Sequence, residues 1–493
     1  MNIFHYPQER RRCFFFNIFL GVMILSFFVL LKDTTIRQNV INGWFDFYIS
    51  FRSSAQTDTR RAAEQLAFLD FDQEAWETLG RPGMMPRDKV ADLVRAAYDG
   101  GAKVIVLDMD YSEADYTPPR QIAGDTEPLS GEARDQALYR VLREIQENPN
   151  GPVVLLPALT YTDGVRKENI FSSLYDGRKV LAVTPTFSIN QTSDRKVRFW
   201  SPYLLAEGGA DRQKEILWSI PVAGAAALAG RTETLAEKSR ALMEEEASSV
   251  AMPSVGGEYV IHRERQGKKG LVRDTQDLQY NRIQYTLYPP GVKKRKPEGN
   301  IPAASLAHWR ETGMDNPQFD CQGKIVIIGR SDQDSGDFFA TPIGNLPGMY
   351  VHANSIATVL GQQKPHLTPL YKHVLVELCL ILLTAYAFLV LKPWQAKCLV
   401  LVLTAACWLA SYAYFCLTDE FVYLCFAFTS IGIYDFVNKI ETFFQKGVAL
   451  KEKIAGAELR GMVLRVRARE GLQARQDKKE SKGFEVQVLL IPF

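Results

Sequence analysis

Four apolar runs, one near the start of the chain and three crowded near its end, constrain the fold more than any other feature. Phe14 to Leu31 is 18 residues without a charge, and three further runs lie between Val374 and Val437, broken only at Lys392–Lys397 and at Thr418–Glu420. An α-helix rises 1.5 Å per residue, so roughly 20 mostly apolar residues cross a hydrocarbon core of about 30 Å. The runs predict membrane-spanning helices at 13–32, 373–391, 398–417 and 420–438. Whole-chain averages conceal this, because 23% charged residues and a net charge of +2 suit an ordinary soluble protein. That near-neutral balance gives no reason to expect nucleic acid as a partner. The partner the sequence requires is a lipid bilayer.

Lys and Arg near the span ends orient such a chain, because they are retained on the cytoplasmic side. Arg10, Arg11 and Arg12 precede the first run, Lys392 and Lys397 join the second to the third, and Lys439, Lys446, Lys451 and Lys453 follow the fourth. The loop between the third and fourth runs carries Asp419 and Glu420 and nothing basic. With four spans every basic segment falls on one side. The expected order is a cytoplasmic N-terminus at 1–12, one large outer domain at 33–372, and a short basic cytoplasmic tail at 439–493. Lys32-Asp33-Thr34-Thr35 offers no small-residue cleavage site, so the first run reads as an uncleaved anchor. Of seven cysteines only Cys321 falls in the outer domain, which leaves it no internal disulfide. No Cys/His spacing suggests zinc, and no cofactor or metal is expected.

Residues 33–60 predict a helix leaving the membrane, with Val40, Ile41, Trp44, Phe45 and Tyr48 at helical spacing. Leu66 to Asp72 reads as a buried strand ending in two carboxylates, Asp70 and Asp72; Ala102 to Asp110 reads as a second, ending in Asp108 and Asp110. Between them a turn at Arg81–Arg87 leads into a helix that Gly100-Gly101 stops. In such a β-α-β unit the two strands are expected to be parallel neighbours. A helix at 131–146, strands at 153–158, 179–190 and 197–204, and a buried helix at 216–228 follow. Residues 231–280 read as a charged insertion without a clear period. Strands at 282–287 and 324–329, a polar loop at 331–337, turns at Thr341-Pro342 and Pro347-Gly348, and a helix at 352–360 close the domain. The fold class is an α/β extracytoplasmic domain, with a mainly parallel sheet covered by helices, plus four transmembrane α-helices.

The order of these segments resembles the CHASE2 domain, an extracytoplasmic sensory module of bacteria. The residues that carry the resemblance are Leu69-Asp70-Phe71-Asp72, Pro86-Arg87, Gly100-Gly101-Ala102-Lys103-Val104-Ile105-Val106-Leu107-Asp108, and Asp135 at the start of the next helix. Gly323 to Gly329, Asp337, Thr341-Pro342 and Pro347 to Asn354 match the family's closing block. The similarity covers about residues 40–365. One span before the domain and three after it are usual in that family, which implies a sensor in a bacterial inner membrane with the domain in the periplasm. Family members usually continue into a cyclase or kinase. The residues after the fourth run contain no glycine-rich phosphate loop and no histidine, His373 being the last, so no catalytic output is expected within this chain.

Candidate ligand-binding residues follow from the strand ends. Residues two apart on a strand share a face, and ligands of open α/β sheets bind outside the carboxyl ends of the strands. Asp70, Asp72, Asp108 and Asp110 meet that description, and Asp337 can join them from beyond the last strand. A cation, or a ligand with amino or hydroxyl groups, would relieve their repulsion. The alternative is that they cap the following helices or pair with Arg87 and Lys103. Arg87 and His352 enter as positions that resemble fixed points of the family; a helix-start histidine is often a satisfied structural group. No activated nucleophile accompanies these residues, so no catalytic residue and no enzyme is expected.

The tail repeats Ile440, Phe444, Val448, Ala455, Leu459, Val463 and Val466 at helical spacing. It suits a cytoplasmic effector, a homodimer contact or an anionic lipid surface. The leading expectation is a receptor that binds an extracytoplasmic ligand and signals through a separate protein. A docking subunit of a cell-envelope or secretion assembly, and the sensor portion of a longer cyclase or kinase, stand as alternatives.

Overall fold

The computed structural model describes residues 7–31, 34–52, 62, 64–116, 129–160, 165–167, 169–185, 187, 194–208, 213–244, 249–254, 257–262, 282–287, 300–302, 321–361 and 365–422. Helices α1 (Gln8–Leu30) and α2 (Thr35–Arg52) precede strand β1 (Leu66–Phe71). Then come α3 (Gln73–Thr78), α4 (Arg87–Asp99), β2 (Val104–Asp108), α5 (Gly131–Glu147), β3 (Val153–Pro157) and β4 (Val180–Val183). A hairpin of β5 (Tyr203–Gly208) and β6 (Gln213–Trp218) leads to α6 (Ile220–Leu228) and α7 (Glu233–Met243). A second hairpin, β7 (Ser249–Ser254) with β8 (Gly257–His262), precedes β9 (Asn300–Pro302) and β10 (Ile325–Arg330). The hairpin of β11 (Phe338–Thr341) and β12 (Gly344–Pro347), helix α8 (Gly348–Leu360), β13 (His366–Leu367), α9 (Leu370–Val390), α10 (Pro393–Thr418) and β14 (Glu420–Phe421) follow.

Six strands form one sheet in the order β4-β3-β2-β10-β1-β9, every pair parallel. The continuous apolar runs of β1, β2 and β10 are what a strand needs when both its faces are covered. Alternation then sorts the side chains. Leu69, Phe71, Ile105, Leu107, Val326 and Ile328 pack with Val90, Val94, Leu138 and Leu142 of α4 and α5. The intervening residues, Asp70 and Asp108 among them, point to the opposite face, where α6 and α8 lie. Thus Phe68 stacks on Tyr350 of α8 at 5.1 Å, and the Cα of Gly224 in α6 lies where an added Cβ would touch Ile325 and Leu155. All thirteen residues of α8 are buried, which is why its sequence lacks the polar stripe of a surface helix.

Several expectations need correction. Strands β1 and β2 are parallel but not neighbours: β10, more than 200 residues later, inserts between them, with Asp70, Gly329 and Asp108 in register. Residues 216–228 are the end of β6 followed by α6, not one helix. The strand expected at 197–204 begins at Tyr203, and the charged stretch after Arg231 holds α7 and the β7–β8 hairpin. Residues 282–287 are not a ladder strand. Their backbone is held instead by α8: Gln284 N donates to Thr358 Oγ1 at 2.9 Å, and Thr286 and Leu287 N donate to Asn354 Oδ1 at 2.7 and 2.9 Å. Side chains of a buried helix there replace a neighbouring strand as hydrogen-bond acceptors.

Among the described residues three helices are long and apolar enough to cross a membrane: Arg10–Leu30, Leu370–Val390 and Trp394–Thr418. Most of the fourth run expected at 420–438, the tail at 439–493, and residues 245–248, 255–256 and 263–280 of the insertion lie outside the described residues. At Glu420 and Phe421, where that fourth span was expected to begin, the chain forms β14 paired in parallel with β13.

The chain divides into two compact units. In the smaller, which takes the first part of α1, most of α9 and the start of α10, Arg10 donates to the carbonyl of Val390 at 3.2 Å. Gly21 lets Ile381 approach so closely that an added Cβ would lie 2.7 Å from it. The larger unit holds the α/β domain together with α2 and the residues of α10 from Ala405. Within it one side of α2 is buried at Ile41, Phe45, Tyr48 and Ile49. Arg198 grips Asp46 of α2 with two bonds of 2.9 and 2.7 Å and also holds Asp194. Arg282 bonds Asn42 and lies between the rings of Phe45 and Phe199, 4.1 and 4.5 Å from their centroids. Burial pushes that guanidinium down to about 9.

Candidate functional site

Where β2 ends, at the carboxyl edge of the sheet, the chain turns away after Asp108, whose side chain is about one-tenth exposed. Helix α8 begins over that edge and brings His352 from its second turn to 3.5 Å, Nε2 to Asp108 Oδ1. Two glycines permit the approach. A Cβ on Gly329, between Asp70 and Asp108 in the sheet, would lie 2.9 Å from Met349 Cβ and 3.4 Å from Asp108 Cβ. A Cβ on Gly348 would overlap the carboxylate of Asp337, so this residue occupies the first turn's side-chain space. The backbone N–H of Gly348 also donates to the Asp337 carbonyl at 2.9 Å. Three of the seven predicted residues, Asp108, Asp337 and His352, are therefore brought together.

The electrostatics of this cluster are set by burial. Asp108 is raised well above the ordinary carboxylate range by loss of water and then by the nearby charge of Asp337. Asp337 is itself raised by burial, partly offset by the Gly348 N–H and by Arg330. His352 is held neutral, pushed down to about 3 by burial, under the ring of Phe187 with centroids 4.3 Å apart. The arrangement favours a proton on the carboxyl rather than a carboxylate–imidazolium pair. Among the described residues Asp108 Oδ2 and His352 Nδ1 make no hydrogen bond although both are buried. A buried polar atom left in that state costs about 1–3 kcal/mol relative to a paired one.

The other predicted residues divide into neighbours and scaffold. Asp70 is one strand beyond Gly329 and accepts a 3.1 Å bond from Tyr350 Oη, so it borders the cluster without joining it. Asp72 caps α3, accepting from Ala75 N at 2.9 Å. Asp110 accepts from Ser112 N at 2.8 Å in a local turn. Strand β2 stops at Asp108, so the second carboxylate leaves the ladder instead of sharing a face with the first. Arg87 is buried in another network: its Nη2 donates to the Asp110 carbonyl at 2.8 Å, and its guanidinium lies over Tyr111 at 4.2 Å and near Asp135 at 3.9 Å. Its backbone N–H bonds Asp115, whose own N–H bonds Asp135. That network fastens the loop after β2 to the starts of α4 and α5, which places Arg87 as scaffold. The helix-capping alternative thus holds for Asp72, and pairing with Lys103 is not what occupies Asp108.

Tyr350, Phe187, Gly329 and Gly348 were not identified from the sequence. For the two glycines and Tyr350 the signal was present in Gly329 and in Gly348-Met349-Tyr350-Val351-His352, where glycine marks close backbone approach. Phe187 carried none. Among the described residues no group of three or more His, Cys, Asp and Glu side chains is disposed to hold a metal ion.

A family model described as the CHASE2 domain matches residues 21–389. No curated protein and no solved structure matches the chain. The matched segment takes in the whole parallel sheet, the helix that covers its carboxyl edge and a candidate membrane span. The chain belongs to the CHASE2 domain family, whose domain is an extracytoplasmic sensor.

Proposed function

We propose that this chain is a membrane-anchored receptor whose ligand is read at Asp108, Asp337 and His352. The observation that carries the reading is Asp108: a buried carboxyl at the sheet's carboxyl edge, with one oxygen unmatched among the described residues, beside a second carboxyl and a neutral imidazole. Perturbed acids of this kind cluster where ligands act. The ligand that fits the unmatched Asp108 Oδ2 supplies hydrogen-bond donors, an ammonium or hydroxyl group. Asp70 and Tyr350 border that position. The binding energy is useful for signalling only if it differs between two conformations of the domain, and the output is carried by a separate cytoplasmic protein.

The test is thermal unfolding of the full chain in lipid nanodiscs against primary amines, amino sugars and polyols. A ligand at a hundredfold excess over its Kd stabilises the folded state by about 2.7 kcal/mol. Expected is a shift with a donor-bearing compound that disappears in Asp108→Asn and persists in Asp72→Asn, whose residue is only a helix cap. A shift unaffected by Asp108→Asn moves the site elsewhere. No shift with any compound, together with stable co-purification of envelope proteins, favours a docking subunit instead.

A further inference from the structure

Helix α2 has a second face, which the domain leaves uncovered. Val40, Gly43, Phe47 and Phe51 recur at spacings of three and four residues, and Val40, Phe47 and Phe51 are 43%, 45% and 58% exposed. This is the side opposite Ile41, Phe45, Tyr48 and Ile49, so the helix is apolar on both sides. Residues three to four apart share a helix face, and a surface helix of a soluble domain would carry charge on that stripe. Here the stripe carries none.

What adjoins it identifies its occupant. Phe47 lies 5.4 Å from Trp408 and Phe51 lies 5.2 Å from Tyr412, centroid to centroid. Trp44 also meets Trp408, at 6.3 Å. Trp408 and Tyr412 belong to the C-terminal half of α10, a candidate membrane span that exposes Leu409 at 63%. Exposed leucines on a spanning helix face acyl chains, and Trp and Tyr gather at the headgroup boundary. The α2 stripe is continuous with that surface. Its opposite side is anchored to the domain through Asp46–Arg198 and Asn42–Arg282.

We propose that α2 lies in the membrane interface, with Val40, Phe47 and Phe51 inserted among the lipids of the leaflet that faces the domain. The domain then rests on the bilayer through a helix that it grips directly. Interfacial helices bury an apolar face at the headgroup–acyl boundary in this way.

The test replaces Phe47 with p-benzoylphenylalanine in the full chain, in proteoliposomes of phosphatidylethanolamine and phosphatidylglycerol. The aromatic-for-aromatic change is at an exposed position, and an unchanged unfolding midpoint verifies folding. After irradiation, a phospholipid adduct is expected by mass spectrometry at residue 47, and again when the probe is at residue 51, with none at Glu237, which is exposed on α7. A cross-linked dimer overturns the proposal in favour of a second copy of the chain. Absence of any adduct, with Phe47→Cys reacting with a water-soluble maleimide as fast as Glu237→Cys, overturns it in favour of a solvated face.

Discussion

At the scale of single residues the informative group is Asp108, because its protonation is linked to folding. Its folded value is raised, so the native state binds that proton more tightly than the unfolded chain, where an aspartate titrates near about 3.9. The stabilisation from that proton is complete below about pH 4 and is lost as pH rises through the raised folded value. His352 runs the other way. Burial pushes it down to about 3 from an ordinary 6.5, so its contribution is present above about pH 6.5 and is lost as pH drops towards 3. Asp108→Asn removes the first trend and leaves the second. The variant is expected to unfold at a higher temperature than the parent at pH 8, by on the order of 1–3 kcal/mol, with the gain shrinking as pH falls towards 5. Calorimetry of both proteins between pH 5 and 8 checks this; an Asp108→Asn chain that is less stable at pH 8 contradicts a strained, ligand-ready carboxyl. This residue was legible because an aspartate closing a five-residue apolar strand has few places to go. Asp72 and Asp110 misled because the pairs look alike in sequence, whereas the ladder ends before the second member of each.

At the scale of elements, local pattern was read more accurately than assembly. Strands β1, β2, β3 and β10 and helices α4 and α5 lie within a residue or two of their expected bounds, since each carries a period and punctuation of its own. The insertion of β10 between β1 and β2 was not legible, because strand order is decided by which apolar ribbon best completes a buried sheet and not by chain order. The segment 282–287 misled for the related reason that an extended apolar run looks the same whether a strand or a polar helix side chain accepts its hydrogen bonds. Helix α2 is legible from Val40, Ile41, Trp44, Phe45 and Tyr48 at helical spacing, although Val40 is exposed while Ile41, Phe45 and Tyr48 are buried; its ionic anchor is not legible. Arg198 is 152 residues from Asp46, a distance over which a charge pair leaves no sequence signal. Removing one partner of a buried ion pair costs about 3–5 kcal/mol, as the other charge stays behind. Asp46→Ala is expected to lose about that much, and Arg198→Leu added to it little more, because both changes break the same contact. Equal single and double losses in chemical unfolding verify the clamp; additive losses mean that Asp46 and Arg198 act through separate contacts, Asp194 and Lys196 among them.

At the scale of the whole molecule the membrane decides which surfaces the family's sensor can use. A CHASE2 domain is extracytoplasmic, and the described spans give one apolar helix before the sheet and two after it. If α1, α9 and α10 each cross once, the short α9–α10 connection, with Lys392 and Lys397, is expected on the side of the membrane opposite the domain. The retention of basic residues predicts that side to be cytoplasmic. The same argument predicts Asp419 and Glu420 on the domain's side; Asp419 pairs with Arg52, Glu420 with Lys372, and β13 with β14. Two epitope insertions separate the possibilities. One follows Glu237 in α7, an exposed position; the other follows Lys392 in the α9–α10 connection. Antibody is expected to bind the first on intact spheroplasts and the second only after lysis. Binding of both before lysis would require α9 and α10 not to cross together, and the domain's contacts with the C-terminal half of α10 would then form on a face the bilayer does not border. The reverse pattern would place the sheet's carboxyl edge in the cytoplasm, where Asp108 would answer to an intracellular ligand.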